Sequence, residues 1–363
     1  MMKRRTAILL STAVLVVVSA PSLAAEDDGI PRTASGRPDL SGSYNAATLT
    51  PLERPTEFGE KAFLTLEEAR AIAEEERILI TNANRRSDAN RGAPAVGGAK
   101  VVGLEHTETG GNEFGAGNVG AYNMFWMDRG SDTFTVDGKI PTSIIVDPPN
   151  GRMPPMTPTA MREMMARLGS FLRPNDGTAF WVDQDGPGPY DGPESLLINE
   201  RCILGFTGAT PSLPSLYNNF KSIVQTEDYV MILIEMVHDA RIVRMGSEHP
   251  GPGVKKWLGD SIGWWEDDTL VVDTTNFHPE SSIRGGSEKL HVVERFTMQA
   301  GGDLLYRFTV EDDTVWTAPW TGEYVWRASD NRVYEYACHE GNYAMGNVLR
   351  GARLLEKEAL AAK

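Results

Sequence analysis

Residues 291–310 read HVVERFTMQAGGDLLYRFTV and have the clearest strand pattern in the sequence. Its first half alternates with the two-residue period of a β-strand that has one apolar face. That face consists of Val292, Glu294, Phe296 and Met298. Its second half, Leu304–Val310, is again typical of a strand, and Gly301-Gly302-Asp303 between the halves is typical of a turn. The stretch therefore predicts an antiparallel hairpin.

Six other runs after residue 221 have the same strand-like composition. They are Ile223–Val237, Ala240–Met245, Gly263–Trp265, Thr269–Phe277, Thr321–Arg327 and Val333–His339. Short turns separate several of them, which predicts an antiparallel meander of about eight strands over residues 222–345. We expect a mainly β fold in which this meander closes into an up-and-down, lipocalin-like barrel.

The rest of the chain predicts about three helices around the barrel. Within an otherwise irregular part, 26–221, helical spacing predicts helices at about 66–79 and 157–169, and residues 143–146 suit a short strand. The C-terminal part, 346–363, is expected to form a final helix. Because no repeat or linker interrupts the chain, we expect one elaborated domain over 26–363.

Residues 1–25 have the pattern of a secretory signal peptide. Three basic residues precede an apolar core at 7–20, and Ser22-Leu23-Ala24 is a typical small-residue cleavage site. That core is shorter than the roughly 20 residues that span a bilayer. We therefore expect an exported, soluble protein without membrane insertion, periplasmic or secreted. Two cysteines, Cys202 and Cys338, are expected to form a disulfide there, between a central loop and the last strand.

The charge balance excludes some classes of partner. The chain has 50 acidic and 35 basic residues, a formal net charge of −15. Such an acidic chain is poorly suited to nucleic acid or to anionic membrane surfaces. A small-molecule substrate or ligand is the partner we expect, and the sequence does not specify an oligomeric state.

Five of the six histidines lie in the strand-rich part, and we single out three that have carboxylates close by in the sequence, His238, His291 and His339. Histidine beside a carboxylate is suited to proton transfer near neutral pH. We expect catalysis by His238 and His339 as proton carriers, with His291 as a further candidate base, Glu294 and Glu340 as carboxylates, and Arg241 or Arg295 as the group that stabilises an anion.

Strand parity places several of these carboxylates on apolar faces. Glu294 shares a face with Val292, Glu235 shares one with Met231, and Glu340 shares one with Tyr336 on the predicted strand after Arg332. A carboxylate in an apolar interior must be paired, protonated or bound to a metal. The structural alternative is a buried ion pair with an arginine such as Arg241, Arg295 or Arg307, with the histidines at the surface.

A metal site is the competing chemical interpretation. His238, His291 and His339, with Asp239 or Glu340, could supply the ligands of a single divalent metal. No short-range motif such as HExxH occurs, so the ligands would have to converge from three strands. The cofactor expectation is therefore none or one divalent metal.

Aromatic and amide side chains near the meander suggest where a ligand binds. The expected ligand contacts are Trp264, Trp265, Tyr336, Asn342 and Tyr343. The leading hypothesis is a periplasmic enzyme, a lyase, isomerase or hydrolase, that uses acid–base chemistry on a small apolar or aromatic molecule. The alternative is a non-catalytic exported protein whose barrel binds a hydrophobic ligand.

Several motifs along the chain point to one family. They are PDLSG at 38–42, YNMFWMDRG at 122–130, ERC at 200–202, VHDARI at 237–242, WEDDTLVV at 265–272, LHVVERF at 290–296 and YACHEGNY at 336–343. With these motifs the chain resembles a family of uncharacterised exported proteins of Gram-negative bacteria. The resemblance implies a single exported unit and brings no reaction with it.

Overall fold

A computed structural model describes residues 29–84, 90, 127–172, 177–205, 210–280 and 286–363. The predicted signal peptide lies outside these residues. The strands are β1 Gly42–Asn45, β2 Phe63–Leu64, β3 Ile140–Pro141, β4 Ile145–Asp147, β5 Phe220–Gln225, β6 Tyr229–Ile234, β7 Ala240–Met245, β8 Asp260–Glu266, β9 Thr269–Thr275, β10 His291–Met298, β11 Leu304–Glu311 and β12 Trp320–Ser329. The α-helices are α1 Leu66–Ala83, α2 Pro158–Leu172, α3 Cys338–Gly341 and α4 Tyr343–Ala361. None of these helices combines the length and the apolar character needed to cross a membrane.

Nine strands form a closed barrel, which confirms the mainly β prediction. They follow the order β1-β5-β6-β7-β8-β9-β10-β11-β12, and β12 pairs back with β1. An extra strand, β4, also pairs with β12. All neighbours are antiparallel except β7 and β8, which are parallel. The long connection 246–259 carries the chain back along the barrel, as a parallel pair requires.

The strand that closes the barrel is not the predicted one. Residues 333–337 form no strand, and the chain enters α3 at Cys338, so the expected strand Val333–His339 is wrong. The closing strand is β1, from the arm predicted to be irregular, and it pairs with both β5 and β12. A four-residue strand that follows a Pro- and Gly-rich arm is too short to show a period-two pattern.

The predicted strand Ile223–Val237 is in fact a hairpin of β5 and β6. A turn at 226–228 separates the two strands, with Thr226 N donating to Tyr229 O at 2.8 Å. The inner face of β6 carries Val230, Ile232 and Ile234, all buried. Glu235 therefore does not point into the barrel, and its carboxylate accepts a hydrogen bond from Phe220 N at 3.1 Å.

Aromatic side chains fill the interior of the barrel. They come mainly from β10, β11 and β12, and Phe296, Tyr306, Phe308, Trp320, Tyr324 and Trp326 are completely buried. Gly322 lies directly opposite Phe308, and a Cβ at Gly322 would lie 2.3 Å from the Phe308 ring. Glycine is therefore required there, because the phenyl ring occupies the space of a side chain. The interior is a packed core.

Helices α1 and α4 pack outside this core. The predicted start of α1 is confirmed, since Thr65 and Glu68 form a capping box. Helix α4 starts slightly before the predicted residue 346, and its Ala352 packs against Ala179 and Trp181. Trp181 Nε1 also donates to Glu356 Oε1 at 2.7 Å. These contacts attach the C-terminal helix to the loop region around residue 180.

Candidate functional site

The predicted site residues fall in three different regions of the molecule. Arg241 and Glu294 lie inside the barrel. His291, Arg295 and Trp264 lie on its outer face. His339, Glu340, Tyr336, Asn342 and Tyr343 belong to the C-terminal segment. Among the described residues, no group of three or more His, Cys, Asp or Glu side chains could hold a metal ion. The three predicted histidines therefore do not form the metal site considered as an alternative.

Inside the barrel, Arg241 and Glu294 form the buried ion pair of the structural alternative. The Arg241 side chain is 4% exposed and Glu294 is completely buried. Arg241 Nη2 donates to Glu294 Oε1 at 2.9 Å, and Nη1 donates to Oε2. Tyr306 Oη donates to Glu294 Oε1 at 2.6 Å. Each carboxylate oxygen of Glu294 thus has a donor.

A loop segment inserts into the barrel above this pair. Thr210 and Ser212 are both 2% exposed, and Ser212 N donates to Tyr306 Oη at 3.0 Å. Arg241 Nη1 donates to Thr210 Oγ1 at 3.3 Å. Burial raises the pKa of the Tyr306 hydroxyl well above its usual value, and the Glu294 carboxylate raises it further. The network is closed off from solvent, which suits a structural role.

The C-terminal segment is held by the predicted disulfide. Cys202 and Cys338 are bonded, and their Cα atoms are 5.7 Å apart. Cys338 lies in α3, so the bridge joins the central loop to a helical turn and not to a last strand. Asn342 Nδ2 donates to Glu200 O at 2.7 Å, and its side chain caps α4. Tyr343 is largely exposed.

A cavity of about 550 Å³ lies beside the disulfide. Its lining includes Tyr336 and Asn342, two of the predicted ligand contacts. His238 lies outside this lining, and its Nε2 is 2.7 Å from the backbone oxygen of Tyr334. His339 and Glu340 are exposed on α3. The structure does not pair His238 or His339 with a carboxylate among the described residues.

On the outer face, His291 lies between two carboxylates. Its Nε2 donates to Asp273 Oδ2 at 2.8 Å, and its Nδ1 lies 3.1 Å from Glu311 Oε2. The other oxygen of Asp273, Oδ1, is 2.8 Å from Nε2 of His249. His249 Nδ1 is in turn 2.9 Å from Oδ1 of Asp260. The result is a chain of alternating carboxylates and imidazoles, which we call the histidine–carboxylate chain: Asp260, His249, Asp273, His291 and Glu311.

Strand register explains how the histidine–carboxylate chain forms. His291 on β10 is directly opposite Glu311 on β11, and Asp273 on β9 is opposite Val293, one step along the same outer face. Outward-facing residues on neighbouring strands are within reach of one another. His249 comes from the loop between β7 and β8. The residues of the histidine–carboxylate chain therefore come from four consecutive strands, β8 to β11, and from this loop.

Asp260, at the buried end of the histidine–carboxylate chain, is surrounded by cationic side chains. Asp260 is completely buried, and Arg244 donates to both of its oxygens at 2.8 and 2.9 Å. Lys256 also donates to Asp260. Burial alone would raise the pKa of Asp260, but these donors, with His249, hold it far below its usual value. Asp260 is therefore a fixed anion that anchors His249.

The same electrostatics favour the protonated form of His291. The hydrogen bond to Asp273 and its negative charge outweigh burial and raise the pKa of His291 to about 8. Burial raises the pKa of Asp273, but the hydrogen bonds from His291 and His249 outweigh it and lower that pKa. At pH 7 the pair is thus an imidazolium beside a carboxylate. An imidazolium with a pKa near 8 is suited to donate a proton near neutral pH.

His291 also lines a surface pocket of about 480 Å³. The other lining residues are Pro252, Lys255, Thr275, Asn276, Glu288, Lys289 and Leu290. The His291 side chain is one-third exposed, whereas Glu311, on its Nδ1, is half exposed. Nδ1 is therefore the ring nitrogen whose partner can move away, while Nε2 is held by the more buried Asp273. The pocket brings the His291 imidazole ring within reach of a small molecule.

The sequence prediction missed four members of the histidine–carboxylate chain: Asp260, His249, Asp273 and Glu311. Asp273 lies on a predicted strand, and strand parity alone could have placed it on the outer face of the barrel. His249 follows Glu248 in a Pro- and Gly-rich loop, where no periodicity exists. Neither residue is close to His291 in sequence, so only the strand order brings them together.

The remaining predicted residues have ordinary surroundings. Arg295 pairs with Glu266 on the outer face. Trp264 Nε1 donates to the same glutamate at 3.0 Å. Trp265 is partly buried against the core, with the Arg37 guanidinium 5.9 Å from its ring centre. These contacts suit a stable barrel surface.

A buried amine lies elsewhere in the barrel wall. Lys221 on β5 is completely buried, and its Nζ has no hydrogen-bond partner among the described residues. Burial lowers the pKa of Lys221 to about 7, although the charges of Glu235 and Asp239 oppose the shift. Burial also raises the pKa of Asp239 to about 6. Lys221 lines neither of the two pockets described above.

Comparison of the chain with protein-family models, with curated proteins and with solved structures found no match.

Proposed function

We propose that this protein is an enzyme that acts on a small molecule by general acid–base catalysis, with His291 as the proton carrier. The observation that carries the proposal is the pairing of His291 with Asp273 at the edge of an open pocket. A histidine that has one nitrogen fixed by a carboxylate and whose ring lines an open pocket is suited to proton transfer.

Each residue has a defined part in this proposal. Asp273 accepts the Nε2 proton of His291, which leaves Nδ1 as the nitrogen that exchanges a proton with the substrate. His249 and Asp260 hold Asp273 in place from the other side. Glu311 is half exposed and contacts Nδ1, so it can move aside for a substrate and return a proton from solvent afterwards. This chemistry suits a lyase, an isomerase or a hydrolase.

The packed interior favours a site outside the barrel. The alternative function, a barrel that holds a hydrophobic ligand, needs an internal cavity in the manner of a lipocalin. Side chains such as Phe296, Tyr306 and Trp326 occupy that space. We therefore propose a substrate that binds at the surface pocket. The disulfide between Cys202 and Cys338 supports the expected export to an oxidising compartment, periplasmic or extracellular.

The test compares variants on a complex mixture of small molecules. Wild-type protein is incubated with a small-molecule extract, and mass spectrometry identifies compounds that the protein converts. His291→Asn should slow their conversion by about 10²–10⁴-fold, the usual range for loss of a general acid or base. Glu323→Gln is a matched control, because it breaks another cross-strand ion pair on the outer face, with Arg307.

Two further variants make the test discriminating. His238→Asn and His339→Asn change the histidines near the disulfide. If conversion is lost with these variants and persists with His291→Asn, the proposal is wrong and the site lies at the disulfide. If wild-type protein converts no compound, the enzyme proposal is also wrong and a binding role takes its place.

A further inference from the structure

The pocket at His291 differs in charge from the molecule as a whole. The chain has a formal net charge of −15. The pocket lining, however, contains Lys255, Lys289 and His291 against one carboxylate, Glu288, while the carboxylates that contact His291, Asp273 and Glu311, lie outside the lining. A concentration of cations on an acidic protein requires a specific explanation, because overall charge would place carboxylates there.

The two lysines have donors to spare. Lys255 Nζ donates to the backbone oxygen of Glu288 at 3.3 Å, and the Glu288 carboxylate is 3.9 Å away. Lys289 Nζ is 4.0 Å from the carboxylate of Asp313, which is almost fully exposed. An ammonium group has three donors. Contacts this long satisfy few of them, so both ammonium groups can turn to a ligand.

The pocket also has a fixed framework behind its cations. The Lys255 side chain is only one-quarter exposed, so its aliphatic part is packed and the position of its ammonium group is restricted. Asn276 is held in a left-handed backbone conformation, with φ of 58°, and its side chain donates to Pro250 O at 3.1 Å. The Leu290 side chain is buried, which fixes the strand entry that carries Lys289 and His291. The cations thus project from ordered backbone.

We infer that this pocket binds an oxyanion group, a carboxylate or a phosphate, of the substrate, with Lys255 and Lys289 as its binding residues. The inference rests on the proposed function and adds the substrate class to it. Two ammonium groups attract such a group as point charges. An oxyanion bound between them lies beside the His291 imidazole in the same pocket, where a proton can pass to the rest of the substrate.

The experiment measures anion binding without any need for turnover. The full chain is titrated with inorganic phosphate and, separately, with acetate, in a chloride-free buffer of low ionic strength. Amide and histidine NMR signals report the binding site. We expect saturable shifts at residues of the pocket with a dissociation constant near 1 mM, which is the scale of a few ionic contacts. The stronger of the two anions identifies the substrate group as phosphate or carboxylate.

Variants decide whether the lysines are responsible. Lys255→Gln with Lys289→Gln should weaken binding at least tenfold, while Lys357→Gln, which removes one charge from the distant α4, should leave it unchanged. Absence of saturable shifts with both anions would overturn the inference. Equal affinity in the double variant, or shifts spread over the whole surface, would overturn it as well.

The outcome is separable from that of the proposed function. If the anions bind and the His291→Asn variant still converts substrate, the anion site stands and the catalytic role of His291 falls. If conversion depends on His291 but neither anion binds, the catalytic role stands and the substrate class proposed here is wrong.

Discussion

Removal of the Glu294 carboxylate should destabilise the barrel far more than it alters any chemistry at the surface. In the Glu294→Ala variant, the Arg241 guanidinium keeps its charge in an interior where it is 4% exposed. Removing one partner of a buried ion pair lowers the free energy of unfolding by about 3–5 kcal/mol, because the other charge stays buried without a partner. Tyr306 also loses the acceptor of its hydroxyl, which lies 2.6 Å away in the native protein.

The pair replacement predicts a different result. In the double variant Arg241→Met with Glu294→Leu, both charges are absent and the volumes are similar. Replacement of a buried ion pair by apolar residues is often neutral or stabilising. One cost remains, the unsatisfied Tyr306 hydroxyl, at about 1–3 kcal/mol. We therefore expect the double variant to lie within about 3 kcal/mol of the wild type, and to be more stable than Glu294→Ala.

Urea unfolding followed by tryptophan fluorescence measures these differences. The free energy of unfolding comes from the midpoint and the slope of each transition, and the slopes must agree between variants for the comparison to hold. A loss below about 1 kcal/mol for Glu294→Ala would refute the reasoning, since it would mean that the Arg241 charge reaches solvent or another partner.

Two other predictions concern stability. Replacing both cysteines, Cys202→Ala with Cys338→Ala, should lower the free energy of unfolding by about 3–5 kcal/mol, because the bridge closes a loop with a sequence separation of 136. Reductant should destabilise the wild type and leave this variant unchanged in urea unfolding; equal sensitivity of both would contradict the role of the bridge. Lys221→Met should stabilise the protein by roughly 2–4 kcal/mol at pH 7, because it removes a buried amine whose pKa is lowered to about 7. The cost of Lys221 is full below pH 7 and disappears as pH rises towards its unfolded pKa, so the gain must shrink between pH 7 and pH 10; a constant gain would contradict the burial argument.

Local sequence patterns predicted most strands of the barrel, but they could not predict which strands pair with one another. Alternation on β10 correctly placed Glu294 inside and His291 outside, because side-chain direction on a strand follows from neighbouring residues alone. Alternation on β10 alone could not choose the partner of Glu294 among arginines of other strands, such as Arg241 and Arg307. That choice depends on which strands face the same interior.

The site itself was only half predictable. His291 was identified from its residue type and its strand, whereas Asp273 and His249 reach it only through the order of β8, β9 and β10. The closing strand β1 was missed because it is four residues long, and the segment after Arg332 looked like a strand although the chain enters helix α3 at Cys338. Apolar periodicity carries no information about the disulfide at Cys338 or about pairing between strands that are distant in sequence.

The central claim is that Asp273 holds a proton on His291 at neutral pH. The most direct test follows the histidine ring signals by NMR across pH 5 to 10, with His291 assigned from the spectrum of His291→Asn. We predict a pKa of about 8 for His291 in the wild type and a lower value in Asp273→Asn, which removes the charge that raises it. Since the folded-state pKa lies above the ordinary value of 6.5, the stabilisation from this pair is present below about pH 6.5 and is lost as pH rises through 8. A wild-type pKa at or below 6.5, or one that Asp273→Asn does not change, would contradict the account.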